Sequence, residues 1–241
     1  DGTTYPAVLE NLLIEGGESK CEVLNFGVCG QDFPQILHHA YQYAFRFHLD
    51  IVLLTYHQGD LLEDDIFYQA GGTASRAQKE APAQSLSISR GLRRLRDQLC
   101  SVSALARFSL PRMQGFIRRA GAVHTIGITD EELAAIEQNQ PSWQEWQKET
   151  LAFISAAKNE GMTVGLVLFP TMTDFTHHPA APLYETLCRW CHDRDIPCVN
   201  LLPCFGGQKA SKMVASLTDV HPNEQAYAIA AKGAVAMVGK M

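Results

Sequence analysis

The chain has 241 residues and a formal net charge of −6 at pH 7, with 46% hydrophobic and 19% charged residues. That length carries one sizeable core, that composition excludes wholesale disorder, and the acidic balance gives nucleic acid no electrostatic footprint. No uninterrupted apolar run reaches the roughly 18 residues that a membrane-spanning helix needs.

The first predicted element is a helix in TTYPAVLENLLIEGG. Thr4 can cap it, Pro6 suits its first turn, and Val8, Leu9, Leu12 and Leu13 form an apolar stripe that Gly16 and Gly17 end. CEVLNFGVCGQD then reads as a buried strand, FPQILHHAYQYAFRFHLD as a helix, and DIVLLTYHQGD as a strand covered on both faces. From about residue 61 to 140 the rhythm breaks. A loop rich in small residues precedes an amphipathic helix marked by Leu92, Leu95, Leu99, Val102 and Leu105. Arg90 to Arg119 holds eight arginines and one acid, Asp97. A face of that kind suits an anionic substrate, a polysaccharide or a membrane surface, but charge runs usually serve solvation, the reading we adopt. The segment is expected to be a helical insertion or lid within a single domain spanning 1–241.

The α/β rhythm then returns. PSWQEWQKETLAFISAAKNEGM is a helix with Ser142 as expected N-cap and Gly161 as stop. TVGLVLFP is a strand, APLYETLCRWCHDRD a helix, IPCVNLLP a strand, and PNEQAYAIAAKGAVAMVGK the last helix. Strands alternating with helices imply a parallel sheet covered on both faces. In such sheets chemistry gathers beyond the carboxyl ends of the strands. That places Gly30, Gln58, Phe169 to Thr173, and Asp219 to His221 on one rim.

His221 is the candidate general base, because histidine exchanges protons near neutrality. Asp219, two residues earlier, can hold the imidazole in one tautomer and stabilise its charged form. The plainer alternative makes Asp219 a cap beside a helix that Pro222 begins. Gly30 can turn a bare backbone N–H towards an oxyanion, and Gln58 can add a side-chain donor. Taken alone, these two positions read equally well as turn residues.

In this order along an α/β chain, the blocks resemble the SGNH hydrolase family, the GDSL-type esterases and lipases. DGTTYPAVLENLL is similar to the helix after the family's nucleophile strand, NFGVCGQD to its second block, DIVLLTYHQGDL to its third, and TDVHPNEQAYAIAA to its last. The resemblance implies a three-layer α/β/α, flavodoxin-like fold. It also implies hydrolysis of an ester or O-acyl group through an acyl-serine intermediate, with no metal and no cofactor. Relatives of this kind include glycan O-acyltransferases, so a small-molecule or glycan ester is the expected substrate.

Three departures stand out. The family's strand ending in Gly-Asp-Ser is absent, and the sequence begins at Asp1 just past its expected place. The nucleophile and the first, central strand are therefore expected upstream. Gln58 stands where an asparagine is expected, and its extra methylene moves the amide by about 1.5 Å. Asp219 lies two residues before His221, where three is common. A non-catalytic carbohydrate- or protein-binding domain of the same fold is the alternative that these departures favour.

No serine of this chain takes the nucleophile's place. Ser19, Ser85, Ser87, Ser89, Ser211 and Ser216 all lie outside a strand-to-helix turn, the geometry that exposes a nucleophile. Cys29 neighbours the oxyanion glycine and reads as a structural thiol. The chain's seven cysteines are scattered and suggest no disulfide framework. Cys188 to His192 spell C-x-x-C-H, a haem-attachment pattern, but Leu183, Leu187, Trp190 and Cys191 fall at core-facing helical spacing. Ordinary buried thiols are expected there. His177 and His178 read as a substrate-rim or exposed loop. His38 and His39 diverge on a helix and cannot easily chelate together.

Overall fold

Three of the predicted strands pair in parallel in a computed structural model, which describes residues 2–18, 20–28, 31, 33–58, 60, 130, 132–216, 219 and 221–241. Strands β1 (Ile51–Tyr56), β2 (Thr163–Leu168) and β3 (Cys198–Asn200) form a sheet of order β1-β2-β3. Helices α1 (Tyr5–Glu15), α2 (Phe33–Phe47), α3 (Pro141–Asn159), α4 (Ala181–His192) and α5 (Glu224–Val238) accompany it. The architecture is α/β, as the alternation predicts. Gly30, Cys29, Ser19, Ser85, Ser87, Ser89 and the arginine-rich run lie outside the described residues.

The register runs from Ile51 opposite Thr163 to Tyr56 opposite Leu168, and from Leu166 opposite Cys198 to Leu168 opposite Asn200. Two further bonds extend the ladder at the carboxyl end. Phe169 N–H donates to the Tyr56 carbonyl at 3.0 Å and Leu201 N–H to the Leu168 carbonyl at 3.1 Å. Central β2 is buried almost throughout, whereas β1 alternates between buried and half-buried residues, against the expected continuous burial. Val52, Leu54 and Tyr56 enter the main core with Phe33, Leu37 and Trp146. Leu53, on the opposite side of the pleat, also packs against Leu9, Leu13, Ala231 and Ala234 from α1 and α5.

The helix ends follow local chemistry. Pro6 opens α1 and Gly17, at φ +110°, ends its run. Gly161, at φ +80°, follows α3. Three boundaries differ from expectation. Gln140 precedes α3 and Pro141 starts it, so Ser142 lies inside the helix. A proline is pre-set for the first helical position and needs no hydroxyl cap. Strand β3 keeps only three residues before the chain tightens into a 3₁₀ turn at Leu202–Phe205. Residues 132–137, within the expected insertion, are helical, and Glu132 and Ala135 are buried in the body of the sheet domain.

The largest correction concerns residues 21–28, expected as a buried strand. They form no ladder, and Leu24 and Val28 are 37% and 53% exposed. A strand requires a neighbour to satisfy its backbone, and among the described residues β1 pairs with β2 alone. Side chains hold the segment instead. Val23 N–H donates to Glu10 Oε2 at 2.6 Å, and Phe26 stacks on Tyr43 at 5.2 Å.

Gly233 lies inside α5, where glycine costs about 1 kcal/mol relative to alanine. A Cβ there would come within 2.7 Å of both Cys204 Sγ and the buried Leu201 Cδ2. The glycine lets the helix approach the 3₁₀ turn. Gly233→Val is expected to cost about 1–3 kcal/mol, read as a lower urea midpoint at unchanged slope.

Candidate active site

Phe169, the first residue past β2, organises the carboxyl rim. Its ring lies 6.1 Å from Tyr5 at the start of α1 and 5.3 Å from His57 at the end of β1. It lies 6.4 Å from both Phe205 in the 3₁₀ turn and Tyr227 in the first turn of α5. Four separate parts of the chain are thereby held at one end of the sheet.

The Asp-x-His stretch is carried by a tightly tied loop. Val214 and Pro222 form an antiparallel bridge, and Ala215 N–H donates to the His221 carbonyl at 2.9 Å. Asn223 N–H donates to the Met213 carbonyl at 2.9 Å, and its side-chain amide donates to the carbonyls of Lys212 at 2.7 Å and Val214 at 3.2 Å. Asn223 Oδ1 accepts from Ala226 N–H, so Asn223 caps α5. The expected start at Pro222 therefore moves to Glu224, because proline's bridge to Val214 holds it in extended backbone. Capping by Asn223 also leaves Asp219 for another task.

That task is His221. Asp219 Oδ1 lies 2.6 Å from His221 Nδ1 and accepts the His221 backbone N–H at 3.0 Å. The backbone bond and then the imidazole hold the Asp219 carboxyl below the usual carboxylate range. An ionised Asp219 can only accept, so Nδ1 carries the proton, and in the neutral imidazole the free lone pair is then on Nε2. The two side chains are 51% and 72% exposed, open to a reactant. Ser216 Oγ accepts from Asp219 N–H at 3.1 Å and so helps to shape this loop.

At the end of β1, His57 N–H donates to Asp60 Oδ2 at 2.6 Å, and Asp60 N–H returns a bond to the His57 carbonyl at 3.1 Å. This turn fixes His57 and Gln58. The Gln58 side-chain oxygen accepts a long bond, 3.4 Å, from the Thr171 hydroxyl after β2. Gln58 is thus joined to the next strand end, as the rim argument requires. Desolvation, and after it the charge of His221, lower the pKa of His57, while its exposed edge moderates the effect. His57 therefore lies within electrostatic reach of the dyad, a role that reading the sequence missed. Its signal was the adjacent polar pair His57-Gln58 directly after an apolar run.

A buried acid stands behind this rim. Tyr56 hydroxyl donates to Glu132 Oε1 at 2.6 Å, and both residues are fully buried. Burial, then the nearby Glu132, raises the Tyr56 pKa well above its ordinary value. The pair anchors residues 132–137 to the end of β1.

The expected histidine loop separates into two roles. His177 is exposed and lies 3.5 Å from Asp174. His178, expected at an open rim, is 5% exposed and structural. Its Nδ1 accepts from Ala180 N–H at 3.2 Å, so Nε2 carries the proton and donates to the Thr171 carbonyl at 3.1 Å. Burial lowers its pKa from 6.5. Its contribution is complete above pH 6.5 and is lost as pH falls from there towards the lower folded value, since only the unfolded chain protonates readily. Thermal midpoints measured from pH 8 to 5 should fall less steeply for His178→Gln than for the parent chain.

Among the described residues, no group of three or more His, Cys, Asp or Glu side chains is placed to hold a metal ion. No helix among them is long and apolar enough to cross a membrane. Comparison of the chain with family models, curated proteins and solved structures finds no match.

Proposed function

We propose that the chain is part of an SGNH-type serine esterase acting on an ester or O-acyl group, its nucleophile a serine preceding Asp1. The observation that carries this reading is the 2.6 Å contact between His221 Nδ1 and Asp219 Oδ1 in a loop whose helix cap is a different residue. Helices against both sides of β1 support the flavodoxin-like, three-layer arrangement.

In this mechanism His221 Nε2 takes the serine proton as the hydroxyl oxygen attacks the acyl carbon. The same nitrogen protonates the departing alcohol. Water then attacks the acyl carbon while giving a proton to His221, and His221 returns that proton to the serine oxygen as the acid is released. Asp219 stabilises the imidazolium. Gln58 and the backbone of Gly30 are assigned to the oxyanion, with Thr171 orienting the Gln58 amide.

The test compares the chain as given with a version extended through its upstream coding sequence, using a short-chain p-nitrophenyl ester. Activity confined to the extended protein, together with a Gly-Asp-Ser upstream, is the expected result. Hydrolysis by the 241 residues alone, abolished by His221→Ala, would overturn the upstream serine. The high exposure of the dyad favours a second reading, a non-catalytic glycan- or protein-binding domain. An extended protein without a Gly-Asp-Ser and without activity would select it. Acceptor-dependent transfer of the acyl group to a sugar would instead make the parent protein an O-acyltransferase.

A further inference from the structure

Helix α4 and strand β3 place three cysteines together, well away in sequence from the Asp-x-His loop. Cys188 Sγ and Cys198 Sγ are 3.4 Å apart, both half-buried. Cys191, fully buried one turn along α4, is within hydrogen-bonding reach of Cys198. Cys188 and Cys198 also line an open depression of about 530 Å³, with Arg189, His192 and Ile196. Solvent reagents can therefore reach this pair, whereas Cys191 lies behind it. The Arg189 guanidinium at the same depression suits a reagent that carries carboxylates.

From this geometry we propose that Cys188 and Cys198 are a reversible oxidation site that closes to a disulfide, with an anionic low-molecular-weight disulfide such as oxidised glutathione as the oxidant. A thiolate of the pair attacks one sulfur of the reagent and displaces a first small thiol. The other thiol of the pair then attacks the protein sulfur of that mixed disulfide and displaces a second. The protein pair loses two electrons, the reagent gains them, and both protein protons leave on the two released thiols. The separation of 3.4 Å is closed by side-chain rotation towards the roughly 2.05 Å bond, without separating helix from strand. The bond to Cys198 and then burial push the Cys188 thiol up; at Cys198 the bond from Cys188 acts downward, but Cys191 and burial outweigh it and that thiol is raised too. Attack is therefore slow at neutral pH and accelerates towards alkaline pH, the behaviour of a slow structural clasp.

The bond would close the short loop between the end of α4 and β3. A link of this size restricts the unfolded chain enough to raise the thermal midpoint by roughly 5 °C. The test incubates the native protein with oxidised glutathione, then quenches free thiols and maps peptides by mass spectrometry. The expected product has lost two hydrogens, joins Cys188 to Cys198, melts higher, and returns to the starting state with dithiothreitol. Cys188→Ser and Cys198→Ser should each lack it, and Cys191→Ala should retain it. A native protein that stays fully reduced, a bond through Cys191, or a glutathione adduct that persists on Cys188 would each overturn the proposal.

Discussion

In the extended protein, His221→Ala should lower kcat for ester hydrolysis by about 10,000-fold or more, and Asp219→Asn by roughly 1,000- to 10,000-fold. The asparagine substitution separates two roles of Asp219. Its side-chain oxygen can still accept the His221 backbone N–H, the 3.0 Å bond that shapes the loop. It cannot supply the charge that stabilises the imidazolium through the 2.6 Å contact with Nδ1. Both side chains are exposed, so neither variant should disturb the fold beyond the few tenths of a kcal/mol typical of surface positions. A large loss of kcat at an unchanged thermal midpoint is the expected signature. An Asp219→Asn variant with near-normal turnover would reduce Asp219 to a loop-shaping residue and remove the orienter from the mechanism.

Elements whose signal is local were legible in the sequence. Helix α4 declares itself through the spacing of Leu183, Leu187, Trp190 and Cys191, all of which are buried. Helix α1 declares itself through Pro6 and the glycines after it. Strand β2 needs only an apolar run between turn residues. Residues 21–28 also contain apolar residues but pair with no strand among the described residues, and pairing is a property of two segments. The start of α5 was misplaced because Pro222 and Asn223 are both plausible there. The bridge from Pro222 to Val214 and the bond from Asn223 to Ala226 decide between them.

The candidate site divides along the same line. The Asp219–His221 contact spans two residues, so spacing alone suggests it. Gln58 with Thr171, and His57 with His221, join residues more than a hundred positions apart, and no local periodicity encodes such contacts. His177 and His178 are neighbours with opposite fates, one exposed and one enclosed by Thr171, Ala180 and Tyr184. Only the path of the loop between β2 and α4 distinguishes them.

That path begins at Phe169, and Phe169→Ala is expected to remove a large share of the domain's stability. The ring is 3% exposed and is surrounded by Tyr5, His57, Phe205 and Tyr227. Truncating a buried phenylalanine costs about 3–5 kcal/mol, through lost transfer free energy and the cavity left behind. Set against a typical total stability of about 5–15 kcal/mol, that is enough to leave a marginal domain partly unfolded. These four neighbours come from α1, the end of β1, the 3₁₀ turn and α5, so collapse around the cavity must shift several elements at once. Phe169→Leu refills much of the volume and should cost about 1.5 kcal/mol or less. Urea titration is expected to show the midpoint falling strongly for alanine and slightly for leucine, with a common slope. The leucine variant also isolates positioning. It keeps the domain folded while removing the ring that contacts His57, so any loss of kcat there reports how far the end of β1 depends on Phe169. A midpoint unchanged by Phe169→Ala would mean that the four elements are held at the rim by other contacts, and that the aromatic cluster does not organise it.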